Sequence, residues 1–295
     1  MVCFFCGMPL EEGNSHYGLH INCFCKWFQI DKPLEFKNIF KKNIGSDSPD
    51  KNNDITSSFF QGKFRKYSAE LGNAAYILKV QEQGFPELPA VEFLSNQIAE
   101  SLGLYVPEYF LINFHGAITF AVKNFLRPGE LETLHNIYHF LEDTSFSCQS
   151  ILETIREKTG RLPEMERFVK LCLFDSLIGN HDRHGRNLGL IEHSGKYRLS
   201  PFYDNPSYIG VEEESFLVAD LSPRGRISVR ATDEPVLKDY LIEFKRLGME
   251  KAINDFKNNV KLNVLEELSG WQFISTARAN ALRKLIRSRF EELHG

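Results

Sequence analysis

Hydrophobic positions along the chain change their period several times. Residues 75–80, Ala-Tyr-Ile-Leu-Lys-Val, form a short, nearly unbroken apolar run of the length of a buried strand. Val91, Leu94, Ile98 and Leu102 then recur at helical spacing, and Gly103 stands where a left-handed residue would end that helix. Residues 109–112 and 117–122 read as two more strands around an Asn113-Phe114-His115-Gly116 turn. From Leu131 onward the pattern is mainly helical. Met165, Phe168, Val169, Cys172 and Leu173 lead towards Gly179. Ser275 is placed to cap a last helix running to Leu293, with Ala281, Leu282, Leu285, Ile286 and Phe290 on its stripe. Between Lys41 and Ser58 the pattern lapses, and residues 45–54 have almost nothing to bury. The expected organisation is α+β: a cysteine-rich head at 1–42, a polar linker at 43–58, a small mixed lobe at 59–127 and a larger helical lobe at 128–295.

Composition narrows the class. Hydrophobic residues make up 42% and charged residues 25% of the 295 positions, ordinary for a globular protein in water. The 25 phenylalanines predict an aromatic-rich core. A formal net charge of −4 supplies no global basic field for nucleic acid. No stretch approaches the roughly 18 apolar residues of a membrane helix, and the N-terminus lacks the pattern of a secretion signal. The expected location is therefore the cytoplasm, with no membrane partner. Six cysteines, four of them between Cys3 and Cys25, do not form the spacing of a disulfide framework.

The strongest chemical signal is Gly179-Asn180-His181-Asp182-Arg183-His184-Gly185-Arg186-Asn187. Asp182 is followed five residues later by Asn187, and a second acid, Asp204, closes Pro201-Phe202-Tyr203-Asp204. Phosphoryl transfer needs a carboxylate to orient an acceptor hydroxyl and take its proton, and hard oxygen ligands for Mg²⁺. Asp182 suits the first task; Asn187 and Asp204 suit the second. The alternative is a polar turn in which Asp182 and Asn187 bond only backbone groups. His184 could brace the loop or touch the transferring phosphate. Lys79 ends a strand, where its ammonium could reach ATP phosphates, and Glu92 on the next helix could pair with it. Gly62, in the basic stretch Gln61-Gly62-Lys63-Phe64-Arg65-Lys66, would let backbone approach phosphate, although this is not a Walker sequence.

The head carries Cys3-x2-Cys6 and His20-x2-Cys23, four nitrogen and sulfur ligands of the kind a tetrahedral Zn²⁺ takes. Cys25 or His16 could replace one of them. A bound ion would give a structural, zinc-knuckle-like head to a segment too short to build its own core; free thiols in a small apolar head are the alternative.

Taken together, these residues resemble the HipA-like serine/threonine kinases, the toxin components of bacterial toxin–antitoxin systems. The resemblance runs from about Ser58 onward. It rests on Gln61-Gly62, Tyr76-Ile77-Leu78-Lys79, Leu88-Pro89-Ala90-Val91-Glu92, Lys123-Asn124-Phe125, the 179–187 loop and Ser200-Pro201-Phe202-Tyr203-Asp204. It implies a two-lobed protein-kinase-like fold with ATP and Mg²⁺ between the lobes. Lys79 would touch the phosphates, Phe125 would lie by the adenine, Asp182 would be catalytic, and Asn187 and Asp204 would hold metal. It also implies a protein substrate, autophosphorylation near the glycine loop with Ser57 and Ser58 as displaced candidates, and an antitoxin partner. The chain would be a short form without the family's extra N-terminal subdomain. Leu126 replaces a hinge acid, and Lys63-Phe64 replaces the residues usual after the loop glycine. Two other readings stay open: a lipid or small-molecule kinase with the same loop spacing, and a non-catalytic pseudokinase-like scaffold whose head binds a partner.

Overall fold

The computed structural model describes residues 1–11, 13–41, 65–127, 129–141, 145–217 and 222–295. They form two compact units: Met1–Phe93 with Pro107–Pro128, and Leu94–Val106 with Gly129–Gly295.

The first unit is built on a five-stranded antiparallel sheet. The head contributes a hairpin, β1 (Ser15–His16) and β2 (Leu19–His20), then a helix, Ile21–Phe28, then the edge strand β3 (Lys37–Lys41). β4 (Arg65–Leu71), β5 (Ala74–Val80), β6 (Tyr109–Phe114) and β7 (Ala117–Lys123) complete the sheet in the order β3-β4-β5-β7-β6. Helix Leu88–Ser101 starts in this unit. Strand side chains alternate between faces, so Tyr76 and Leu78 of β5 point one way and Lys79 the other.

The abundant phenylalanines find their use on the Tyr76 face. Phe28 of the head helix stacks on Phe110 of β6, centroids 4.0 Å apart, and meets Tyr76 at 5.8 Å. Phe36 stands edge-on to Tyr76 at 5.6 Å, and Trp27 meets Phe110 at 5.4 Å and Phe93 at 5.9 Å. A main-chain bond from Asn113 N to Tyr17 O, 2.8 Å, ties the head hairpin to β6. The head thus buries Phe28 and Phe36, and packs Trp27, in the same core as the sheet.

The second unit centres on helix Leu162–Ile178, in which every residue from 171 to 178 is buried. A helix apolar on all sides belongs inside a bundle. Cys148–Thr159, Leu237–Arg246, Glu250–Asn259 and Thr276–His294 pack against it, and Leu262–Ser269 packs on Thr276–His294. Ser147 and Ser275 cap the first and last of these by accepting from Ser150 N and Arg278 N. The helical expectation for this region missed a three-stranded sheet: β8 (Glu132–Asn136), β9 (Gly189–His193) and β10 (Lys196–Leu199), in the order β10-β9-β8. Its strands are too short to show a period. The β9–β10 turn, Ser194-Gly195, has φ of 51° and 74°, the mirror-image turn that matches strand twist. Among the described residues no helix is long and apolar enough to cross a membrane.

Replacing Phe28 by Ala removes the ring stacked on Phe110 and leaves a void in a well-packed site. The expected loss is about 3–5 kcal/mol of stability, read as a lower urea midpoint with an unchanged slope; Phe28→Leu should recover most of it.

Candidate active site

In the first unit, sheet register positions Lys79. It lies on β5 between β4 and β7, opposite Lys66 on one side and Phe120 on the other. Its Nζ bonds Glu92 Oε1 and sits 5.5 Å from the Phe120 ring centroid. Both partners are inside the protein, Lys79 3% exposed and Glu92 fully buried. A dry ammonium persists only with an anion beside it, so the pair fixes both side chains. Lys66 is equally buried on the same face, which gathers positive charge where like charges opposed across strands otherwise repel. Phe125, half-buried, follows β7, where Asn124 Oδ1 accepts from Leu126 N at 3.0 Å. Gly62, Ser57 and Ser58 lie outside the described residues.

In the second unit the loop carrying Asp182 begins at Gly179, the left-handed C-cap of helix Leu162–Ile178 at φ 70°. A Cβ there would come within 2.6 Å of Tyr208 and 2.8 Å of Pro223, so the turn admits glycine alone. Asn180 then folds back: its N and Nδ2 bond Asp175 O and Oδ1, both at 2.8 Å, and its Oδ1 accepts from Asp182 N at 3.0 Å. Asp182 is therefore held by its own backbone, leaving its carboxylate to other work.

Arg183, 1% exposed, organises the rest. Its Nε and Nη2 grip the two oxygens of Asp175 at 2.8 and 2.9 Å. Its Nη1 donates to Asn187 O at 3.0 Å and Tyr203 O at 2.8 Å, and Nη2 also reaches Asn205 Oδ1 at 2.6 Å. Burial opposes its charge, but Asp175 outweighs that and raises its pKa. Asn205 in turn donates to Asn96 Oδ1 at 3.0 Å and Phe202 O at 2.8 Å. One guanidinium thus brings the Asn187 backbone and the Tyr203-Asp204-Asn205 turn together.

The candidate ligands are set by this frame. Asn187 Nδ2 donates to Asp182 O at 3.1 Å and its Oδ1 accepts from His184 N at 3.1 Å, which orients the amide and leaves a second lone pair on that oxygen. The backbone-bonding alternative and the metal-ligand reading are thus compatible in the same side chain. Asp204 has φ 51°, a left-handed backbone uncommon outside glycine. Tyr203 before it is buried, its Oη donating to Arg186 O at 3.0 Å, and burial holds its phenol protonated well above the usual range. Burial also lowers the His184 imidazole below 6.5; its Nδ1 accepts from Arg186 N at 3.2 Å, placing the ring proton on Nε2.

The head brings Cys3, Cys6, His20 and Cys23 together, one ligand atom of each within 4.8 Å of the others. His16 is engaged elsewhere: its Nε2 meets Leu34 O at 2.9 Å and its ring stands edge-on to Phe24. Burial acts to raise the Cys3 thiol, but backbone hydrogen bonds from Cys6, His20 and Phe5 outweigh it and bring the pKa to about 7. Cys23 is pushed up to about 12, first by burial and then by the Cys6 and Cys3 sulfurs.

The roles of Asp175, Arg183, Asn205 and Asn96 were not read from the sequence. One signal was available: Asp175 interrupts Cys172-Leu173-Phe174-Asp175-Ser176-Leu177-Ile178, and an acid inside an all-apolar run must have a buried partner. Asp175→Asn strands the Arg183 charge and is expected to cost about 3–5 kcal/mol. Arg183→Lys, which keeps the charge but loses the fork, should cost a comparable amount; equilibrium unfolding measures both.

A family model for the HipA-like C-terminal domain matches residues 56–264. A Haemophilus influenzae protein whose name calls it a kinase is 25% identical over 220 residues, 65% of this chain and 63% of that protein. A Sinorhizobium fredii relative named as the kinase Y4dM is 26% identical over 188 residues, 56% of this chain and 46% of that protein. The chain thus spans roughly half of the curated relatives it matches. Among solved structures, the Helicobacter pylori proinflammatory kinase CtkA superimposes with a TM-score of 0.63 at 19% identity, over 77% of this chain and 90% of that one. HipA of a Shewanella oneidensis toxin–antitoxin system, solved with HipB and operator DNA, does so at 0.55 and 16% identity, over 77% and 59%. The structural likenesses establish a shared α+β fold, and the family model, covering well over half of the chain, establishes that it belongs to the HipA-like C-terminal domain family.

Proposed function

We propose that this protein is an ATP- and Mg²⁺-dependent phosphotransferase that phosphorylates serine or threonine hydroxyls of a protein substrate. The observation that carries the reading is the Arg183 network, which gathers the backbones bearing Asp182, Asn187 and Asp204 around one buried guanidinium. The buried Lys79–Glu92 pair of the first unit adds support. Asp182 orients the acceptor hydroxyl and takes its proton as the oxygen bonds the γ-phosphorus; the γ-phosphorus–oxygen bond to the β-phosphate breaks and ADP departs. Asn187 Oδ1 and the Asp204 carboxylate are the hard oxygen donors that suit Mg²⁺, which neutralises phosphate charge when bound. Lys79 presents a fixed ammonium to the phosphates, held in place by Glu92. His184, neutral and tied to Arg186 N, acts as a loop brace.

The kinase names of the two relatives and the CtkA likeness support phosphoryl transfer. The likeness to HipA, solved with HipB, supports pairing with an antitoxin chain; autophosphorylation on a serine such as Ser57 or Ser58 belongs to the same proposal and rests on the family resemblance of the sequence alone. With a net charge of −4 the chain itself is not expected to bind nucleic acid.

The test is transfer of labelled γ-phosphate from ATP with Mg²⁺, to the protein itself and to lysate proteins, followed by intact-mass and peptide mapping. Asp182→Asn and Asp204→Asn should each lower transfer by about 10²–10⁴-fold with little change in melting temperature. Full activity in both variants would sink the assignment, and label appearing in lipid or a small metabolite instead of protein would move the acceptor.

A further inference from the structure

We infer that Cys3, Cys6, His20 and Cys23 hold one zinc ion, and that this ion seats the aromatic head on the sheet and braces the helix turn carrying Glu92. The ligand spacing is the first argument. Zinc bonds of about 2.3 Å to sulfur and 2.0 Å to nitrogen put tetrahedral ligands roughly 3.5–3.8 Å apart. His20 Nδ1 lies 3.5 Å from Cys6 Sγ and 3.8 Å from Cys23 Sγ, and all four ligand atoms fall within 4.8 Å.

The tautomer is the second, and it is independent of spacing. His20 Nε2 faces Pro9 O at 3.0 Å, a contact that requires the proton on Nε2. The lone pair is then on Nδ1, the atom aimed at the sulfurs. An acceptor fixing the far nitrogen of a ligating imidazole is the usual outer support of a metal site. The turn between the first two cysteines is closed by Gly7 N to Cys3 O and Cys3 N to Met8 O, each 2.9 Å. Three thiols and an imidazole are a soft donor set that selects zinc and rejects the Mg²⁺ of the proposed reaction.

The consequence for the rest of the unit follows residue by residue. Cys23 lies on helix Ile21–Phe28, and Trp27 stands one turn further along the same face. Trp27 packs edge-on against Phe93 at 5.9 Å and against Phe110 at 5.4 Å. Phe93 directly follows Glu92, whose carboxylate holds Lys79. A helix of eight residues is too short to be stable alone. An ion pinning it at Cys23 fixes the platform on which Phe93 rests. Trp27 is then a positioning residue acting on Glu92 through Phe93.

The experiment uses the full chain purified without chelator, with no nucleotide present, so its failure is separable from failure of the kinase reading. Elemental analysis should find about one zinc per chain. Hydrogen exchange followed by mass spectrometry is then compared before chelation, after it, and after adding back zinc or magnesium. Chelation should speed exchange about tenfold or more in peptides covering 21–28 and 88–93, and leave the helix Thr276–His294 unchanged. Zinc, not magnesium, should reverse it. Cys6→Ser should mimic chelation and Cys25→Ser should not. Absence of stoichiometric zinc overturns the site. Zinc present with unchanged exchange at 88–93 overturns the bracing, and uniform acceleration across the chain does so too.

Discussion

The second unit depends on one charge taken out of water. Arg183 is buried at the end of the central helix, and its cost is offset only because Asp175 meets it in a two-pronged grip and three further oxygens meet its remaining donors. A lysine or an apolar residue could fill the volume but could not hold a helix acid, a loop carbonyl, a turn carbonyl and an asparagine amide at fixed relative angles. The arrangement trades stability for geometry. Two of the three segments it joins, the loop at Asn187 and the turn at 203–205, are irregular stretches whose backbone groups would otherwise be satisfied by water in many conformations.

The first unit solves a different problem. A thin sheet with one lysine-bearing face needs its other face covered, and the cover comes from the head. Trp27, Phe28 and Phe36 lie against Tyr76, Phe93, Phe110 and Phe114, rings in tilted, edge-on and stacked pairs that fix orientation as well as bury area. What the composition showed only as an excess of phenylalanine is a directional interface between a cysteine-bearing helix and the strands that position Lys79.

Legibility in the sequence followed chain locality. Asp182 and Asn187 share one loop, and Asp204 ends a short apolar run, so their order after a long helix, together with the resemblance that order carries, was enough to group them. Lys79 and Glu92 were legible for the same reason, being neighbours in a strand–helix pair. Cys3, Cys6, His20 and Cys23 stood out through two short paired spacings. Asn205 and Asn96 were not legible, because the contacts that define them cross 22 and 109 residues of chain; Asp175 stood out as an acid in an apolar run, but nothing in that run named Arg183 as its partner. The β8–β9–β10 sheet escaped because strands of four or five residues carry too few alternations to outweigh the helical patterns around them.

The left-handed backbone at Asp204 has a consequence for how this position can change over time. Glycine enters that conformation freely, and among other residues asparagine, aspartate and histidine favour it. Glycine and asparagine bring no negative charge, and glutamate, the nearest residue that does, pays the steric penalty of an ordinary L side chain at φ 51°. Under the metal-holding role proposed for Asp204, backbone shape and side-chain charge narrow the acceptable replacements from two sides at once, and the two demands meet in aspartate.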